Sequence, residues 1–136
     1  MIKFRDIEDA FDFVSSDQPF MNSAIIHKTN GDVFYQSEMS DMDEFPDDAD
    51  DGDYISIPHK NDLELGRQLV FDFVSNHLPQ KSDEVHAIFR SKGAYSRYKF
   101  LLDSMGLLDE WYQFEDEQTK SALRQWCEEN DLRVGE

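Results

Sequence analysis

The stretch Ala24-Ile25-Ile26-His27-Lys28-Thr29-Asn30-Gly31-Asp32-Val33-Phe34-Tyr35-Gln36 reads as two β-rich runs around a turn. Asn-Gly readily takes the positive φ angles of a tight hairpin turn, so a β-hairpin over residues 23–39 is predicted, with Asn30-Gly31 at its tip. Tyr54-Ile55-Ser56-Ile57-Pro58 reads as a third strand closed by the proline, and together the runs predict a three-stranded antiparallel sheet. Before the hairpin, Phe4, Ile7, Phe11 and Val14 recur at helical spacing among acids, which predicts an amphipathic helix over residues 4–15.

From Asn61 onward the periodicity is helical. Asn61 or Asp62 is the expected cap of a helix running to about His77, stopped by Leu78-Pro79. Ser82 is the expected cap of the next helix, and Gly93 breaks the chain after it. Ala94 to Met105 is a further helix, with Gly106 as the residue after its C-cap. Residues 107–130 read as a short helix to about Tyr112, a break near Phe114–Glu115 and a helix from about Asp116 to Asn130; one long helix is the alternative. The fold class predicted is α+β: a three-stranded antiparallel sheet, an N-terminal helix and a C-terminal helical part of about four helices. Phe73, Val74, Ile88, Phe89, Tyr98, Leu102, Trp111, Leu123 and Trp126 are expected in the core.

The 136 residues suit a single domain spanning 1–136, with helix and sheet in 1–58 and a helical part in 59–132. Charge is uneven. Residues 1–58 carry 15 acids and 3 bases, whereas residues 59–136 carry 15 acids and 10 bases. Eight of the thirteen residues 41–53 are acidic, which predicts an exposed loop over 40–53. A net charge of −17 opposes nonspecific binding to nucleic acid at long range. Salt screens that repulsion beyond about 8–10 Å, so a local basic patch can still act at short range. No apolar run approaches the roughly 18 residues of a membrane span, and the first residues lack the apolar stretch of a signal peptide. The expectation is a cytoplasmic protein that does not engage a membrane.

Candidate chemistry is sparse. Read as a calcium loop from Asp47, the acidic segment has Gly52 in place but Ala49 and Pro58 where ligands belong, so no metal site is expected. His27, His59, His77 and His86 lie in no metal-ligand spacing. Cys127 stands alone and can form no internal disulfide, and there is no Gly-x-Ser-x-Gly or glycine-rich phosphate loop. No cofactor and no catalytic residue set is predicted.

One segment stands out. Residues 86–102 contain no acid but hold Arg90, Lys92, Arg97 and Lys99, interleaved with Phe89, Tyr95, Tyr98 and Phe100. Cations separated by aromatics can clamp phosphates and stack bases, so these four are the candidate binding residues for nucleic acid or another anion. The competing reading makes the aromatics a helix face and the cations partners of nearby acids. The acidic surface has its own reading as a charge track, resembling a phosphate backbone, for a protein partner with a basic surface. A non-catalytic binding or regulatory module acting through a macromolecular partner is therefore expected.

Three segments carry a family resemblance. They are Phe89-Arg90-Ser91-Lys92-Gly93-Ala94-Tyr95-Ser96-Arg97-Tyr98-Lys99, then Gly106-Leu107-Leu108-Asp109-Glu110-Trp111-Tyr112-Gln113-Phe114, then Ala122-Leu123-Arg124-Gln125-Trp126-Cys127. In this order they resemble a small uncharacterised bacterial protein family with a Gly-Ala-aromatic-basic segment, a Trp-Tyr-x-Phe segment and a C-terminal Trp helix. The likeness covers residues 54–132 and, loosely, the hairpin. It implies an architecture and no activity.

Overall fold

The structure is a computed structural model that describes residues 2–135. The fold is α+β, and the chain divides into two compact units, Met1–Leu63 with Lys120–Glu136, and Glu64–Thr119.

The first unit holds the sheet. Strand β1 (Ile2–Lys3) leads into helix α1 (Phe4–Ser15), whose Phe4, Ile7, Ala10, Phe11 and Val14 are buried at helical spacing. Strands β2 (Asn22–His27), β3 (Val33–Ser37) and β4 (Tyr54–Ser56) form the antiparallel sheet in the order β3-β2-β4. The central strand explains its own composition: Ala24, Ile25 and Ile26 are all buried, and Ile26 pairs with Val33 on one side and Ile55 on the other.

The hairpin tip is wider than expected. Lys28–Asp32 connects the strands, closed by the His27 N–H to the Asp32 carbonyl at 2.8 Å. A two-residue turn of the expected kind needs positive φ at both Asn30 and Gly31. Only Gly31 has it, at 80°, and the His27 ring accepts the N–H groups of Thr29 and Asn30 through Nδ1. A Cβ at Gly31 would lie 3.3 Å from the Ile2 side chain, so glycine also makes room there.

The acidic segment starts by lying along β3. The Glu44 N–H reaches the Tyr35 carbonyl and the Ser37 N–H reaches the Met42 carbonyl, which covers an otherwise open sheet edge. Turns at 46–49 and 48–51 then carry it to β4.

The expected helix start at Asn61 or Asp62 is not observed. Lys60–Leu63 forms a 3₁₀ turn instead. The Asp62 carboxylate is spent on it, accepting the His59 N–H at 3.0 Å, and the Asn61 backbone N–H donates to His59 Nδ1.

The second unit is helical. Glu64 takes φ 57°, and helix α2 (Arg67–His77) starts after Gly66. A 3₁₀ turn at Pro79–Lys81 precedes helix α3 (Ser82–Ile88). Ser82 is not the cap: its φ and ψ of −55° and −47° are already helical, and Lys81 holds the N-cap position. Helix α4 (Ala94–Ser104) ends in a Schellman motif, with Gly106 at φ 71°, its N–H on the Asp103 carbonyl and the Leu107 N–H on the Leu102 carbonyl.

Helix α5 (Leu108–Glu129) is continuous, so the break expected at Phe114–Glu115 is absent and the one-helix alternative is observed. Both residues have work inside the helix. The Phe114 ring lies 5.4 Å from that of Phe73, and Glu115 accepts the Tyr95 hydroxyl at 3.2 Å. The helix finishes in a second Schellman motif, with Asp131 at φ 58° and the Leu132 N–H on the Cys127 carbonyl at 2.9 Å. Strand β5 (Val134–Gly135) then pairs in parallel with β1.

Of the expected core, Phe73, Val74, Phe89, Tyr98, Leu102, Trp111 and Leu123 are buried. Ile88 and Trp126 are half-buried, because Phe89 takes the inward position after α3 and Leu123 and Cys127, four residues apart, take it on α5. No helix among the described residues is long and apolar enough to cross a membrane.

Candidate functional site

The acid-free segment divides between a bend and a helix. Arg90 and Lys92 lie in the bend between α3 and α4, where Gly93 supplies the left-handed turn at φ 70°. Arg97 and Lys99 lie on α4. Residues two apart on a helix do not share a face, so Arg97 and Lys99 diverge.

Arg97 turns back to the bend. Its guanidinium donates to the Ser91 hydroxyl and to the Lys92 carbonyl. Arg90, Lys92 and Arg97 thereby gather around one turn, all exposed. Lys99 points elsewhere and places Nζ 5.4 Å from the Tyr95 ring and 5.5 Å from the Tyr112 ring. None of the four cations has a carboxylate within ion-pair distance among the described residues.

The aromatics divide in the same way. Phe89 and Tyr98 are buried and Tyr95 is half-buried, whereas Phe100 is 76% exposed. Phe100 lies three residues after Arg97, within reach of the same helix face. Tyr112, 44% exposed, stands beside Lys99 from α5 rather than on the face of Arg97 and Phe100. Sequence reading missed it, since it lies thirteen positions beyond Lys99 and outside the acid-free segment. Its place next to the buried Trp111 was the available signal.

Beneath the surface is an aromatic cluster. Trp111 meets Phe73 at 5.4 Å and Tyr98 at 5.2 Å, and Tyr98 meets Phe89 at 5.7 Å. Burial raises the Tyr95 hydroxyl far above its ordinary range, helped by the Glu115 carboxylate it bonds. Burial does the same to Tyr98, with Tyr95 and Glu115 adding to it. Both tyrosines therefore stay neutral at ordinary pH and act as packing groups rather than proton acceptors.

The remaining reactive side chains are occupied locally. His59 is buried; its ring Nε2 bonds the Asp17 carbonyl at 2.7 Å, and Nδ1 accepts the Asn61 N–H, which fixes the tautomer. His86 stacks on Phe71 at 4.1 Å and His77 on Phe73 at 4.3 Å. Burial pushes the Cys127 thiol up, against a smaller downward pull from Arg124. A buried protonated thiol is a poor nucleophile. Among the described residues no three His, Cys, Asp or Glu side chains gather as a metal site.

No curated protein and no solved structure matches this chain. The sequence model of an uncharacterised protein family, UPF0158, matches residues 1–135. The chain belongs to that family.

Proposed function

We propose that the protein is a non-catalytic binding module acting through a macromolecular partner, and that Arg90, Lys92, Arg97 and Lys99 meet a single-stranded nucleic acid. The observation that carries this reading is that these four cations have no acid partner among the described residues, in a chain with 30 acids, and that exposed aromatics stand near Arg97 and Lys99. Arg90, Lys92 and Arg97 suit phosphates, and exposed Phe100 and Tyr112 suit the faces of unstacked bases. Stacking contributes about 1–3 kcal/mol per base, enough to hold a strand against long-range repulsion that salt screens.

The test is an anisotropy titration with fluorescent single-stranded RNA and DNA. Arg90→Glu with Lys92→Glu is the informative variant, because Arg97 also holds the bend. The variant should bind at least tenfold more weakly with the melt unchanged. Equal binding by wild type and variant would remove these residues from the contact.

A second reading has its own observation. All eight carboxylates between Asp41 and Asp53 are exposed. A partner with a basic surface would be steered toward such a track, most strongly at low salt. Neutralising four of them with Asn and Gln should slow association with that partner and leave nucleic-acid contact intact.

A further inference from the structure

The turn Gln18-Pro19-Phe20-Met21 follows α1. The Met21 N–H reaches the Gln18 carbonyl at 3.2 Å, Pro19 occupies the second position, and Phe20 has φ 74°. This is the pattern of a type II turn, whose third position calls for Gly or Asn. Phe there is doubly unfavourable. Its backbone is in the left-handed region, where a bulky side chain is strained, and its ring is 89% exposed, so packing returns nothing. The fold gives no reason for a phenylalanine at this place.

The ring borders a cleft in the same unit. The cleft holds about 270 Å³. Its walls include Val14, Ile25, Ile57 and Phe45, with His59 and Asp62 as polar groups. That volume is below the roughly 300–1,000 Å³ of sites for drug-sized ligands, so it suits one inserted side chain. His59 holds the rim, since its ring bonds the carbonyl of Asp17 just before the turn. Phe45 belongs to the acidic segment, with Asp43 and Glu44 before it and Asp47 and Asp48 after it, all exposed. The exposed Asp62 adds another carboxylate.

One carboxylate, Asp62, lines the slot, and four exposed carboxylates flank its Phe45 wall in sequence, a charge balance that favours a cationic occupant. A second copy of the chain is disfavoured, because this unit carries twenty acids against seven bases and would face its own charge. We propose that the cleft docks a cationic peptide segment of a partner protein. One aliphatic side chain enters between Phe20 and the Ile25–Ile57 wall, and flanking Lys or Arg side chains meet the bordering carboxylates. Phe20 is then kept, despite its strain, as the hydrophobic contact that the partner covers.

Two synthetic ten-residue peptides test this by calorimetry on the full chain. One is Lys/Arg-rich with a central Leu; the other has Ser in place of the Leu. The Leu peptide should bind about tenfold or more tightly than the Ser peptide, as expected for burying one aliphatic side chain. Phe20→Asn and Phe20→Gly should each remove that advantage while the melting temperature stays equal or rises, because both residues accept the turn. Arg90→Glu with Lys92→Glu should leave peptide binding in place, which separates this site from the nucleic-acid face. Equal binding of the two peptides, undiminished binding by the Phe20 variants, or a clear fall in their melting temperature would each overturn the proposal.

Discussion

The rings of Tyr98 and Trp111 meet edge to face with centroids 5.2 Å apart, and both residues are wholly buried. Among the described residues, neither the Tyr98 hydroxyl nor the Trp111 Nε1 has a hydrogen-bond partner. Their rings hold the helical unit together while their polar atoms oppose it, because an unbonded buried polar group costs about 1–3 kcal/mol. Tyr98→Phe should therefore leave stability unchanged or raise it by up to about 1 kcal/mol. Trp111→Ala, which removes the ring, should cost about 3–5 kcal/mol. Urea denaturation of both variants checks the pair, and a large loss in Tyr98→Phe would show that the hydroxyl is bonded after all.

Alkaline pH should destabilise the fold, and the sign follows from three groups. Burial is the first cause of the raised values of Cys127, Tyr95 and Tyr98, whose ordinary values are 9.0, 10.0 and 10.0. Below those ordinary values both folded and unfolded chains hold the protons, so the stability is fully present. Above them the unfolded chain ionises first and gains, so stability is lost as pH rises toward the folded values. Melting temperature should fall between pH 8.5 and 10.5, and Tyr98→Phe should reduce the fall. A flat profile across that range would contradict the burial of these groups.

Gly93 and Gly106 are at φ 70° and 71°, and a Cβ at either would meet open space. The cost of Gly→Ala at each is therefore the left-handed backbone alone, about 1–2 kcal/mol. Gly106→Ala should only lower the melt. Gly93→Ala should also weaken RNA binding, since Gly93 forms the bend that gathers Arg90, Lys92 and Arg97. Equal RNA affinity in both variants would show that the bend does not organise the contact.

Much of the fold was legible because its signals are local. The apolar spacing of Phe4, Ile7, Phe11 and Val14 gave α1, and Gly106 marked the end of α4. The miscast elements were decided by contacts distant in sequence or by competing local bonds. Asp62 looks like a helix cap, but its carboxylate and the His59 ring stabilise a 3₁₀ turn instead. Phe114–Glu115 looks like a break, yet Phe73 and Tyr95 hold both residues in the helix. The two-residue strands β1 and β5 pair across nearly the whole chain, and nothing in four residues announces that.

The candidate site was legible as composition only. Sequence placed four cations in one segment. It could not say that Arg97 folds back on Lys92 while Lys99 turns to Tyr95 and Tyr112, because that depends on which way α4 faces. Phe20 was given no role in the reading of the sequence. Pro19 one residue before it was the clue that a glycine-type position held a phenylalanine.

The most direct measurement is the salt dependence of single-stranded RNA affinity, for wild type and for Arg90→Glu with Lys92→Glu. Each phosphate neutralised contributes about −0.7 to the slope of log K against log salt, so three or four contacts predict a slope of roughly −2 to −3. The account predicts that slope for the wild type and a slope shallower by at least 1 for the double variant. No binding at low salt, or the same slope in both proteins, would contradict it.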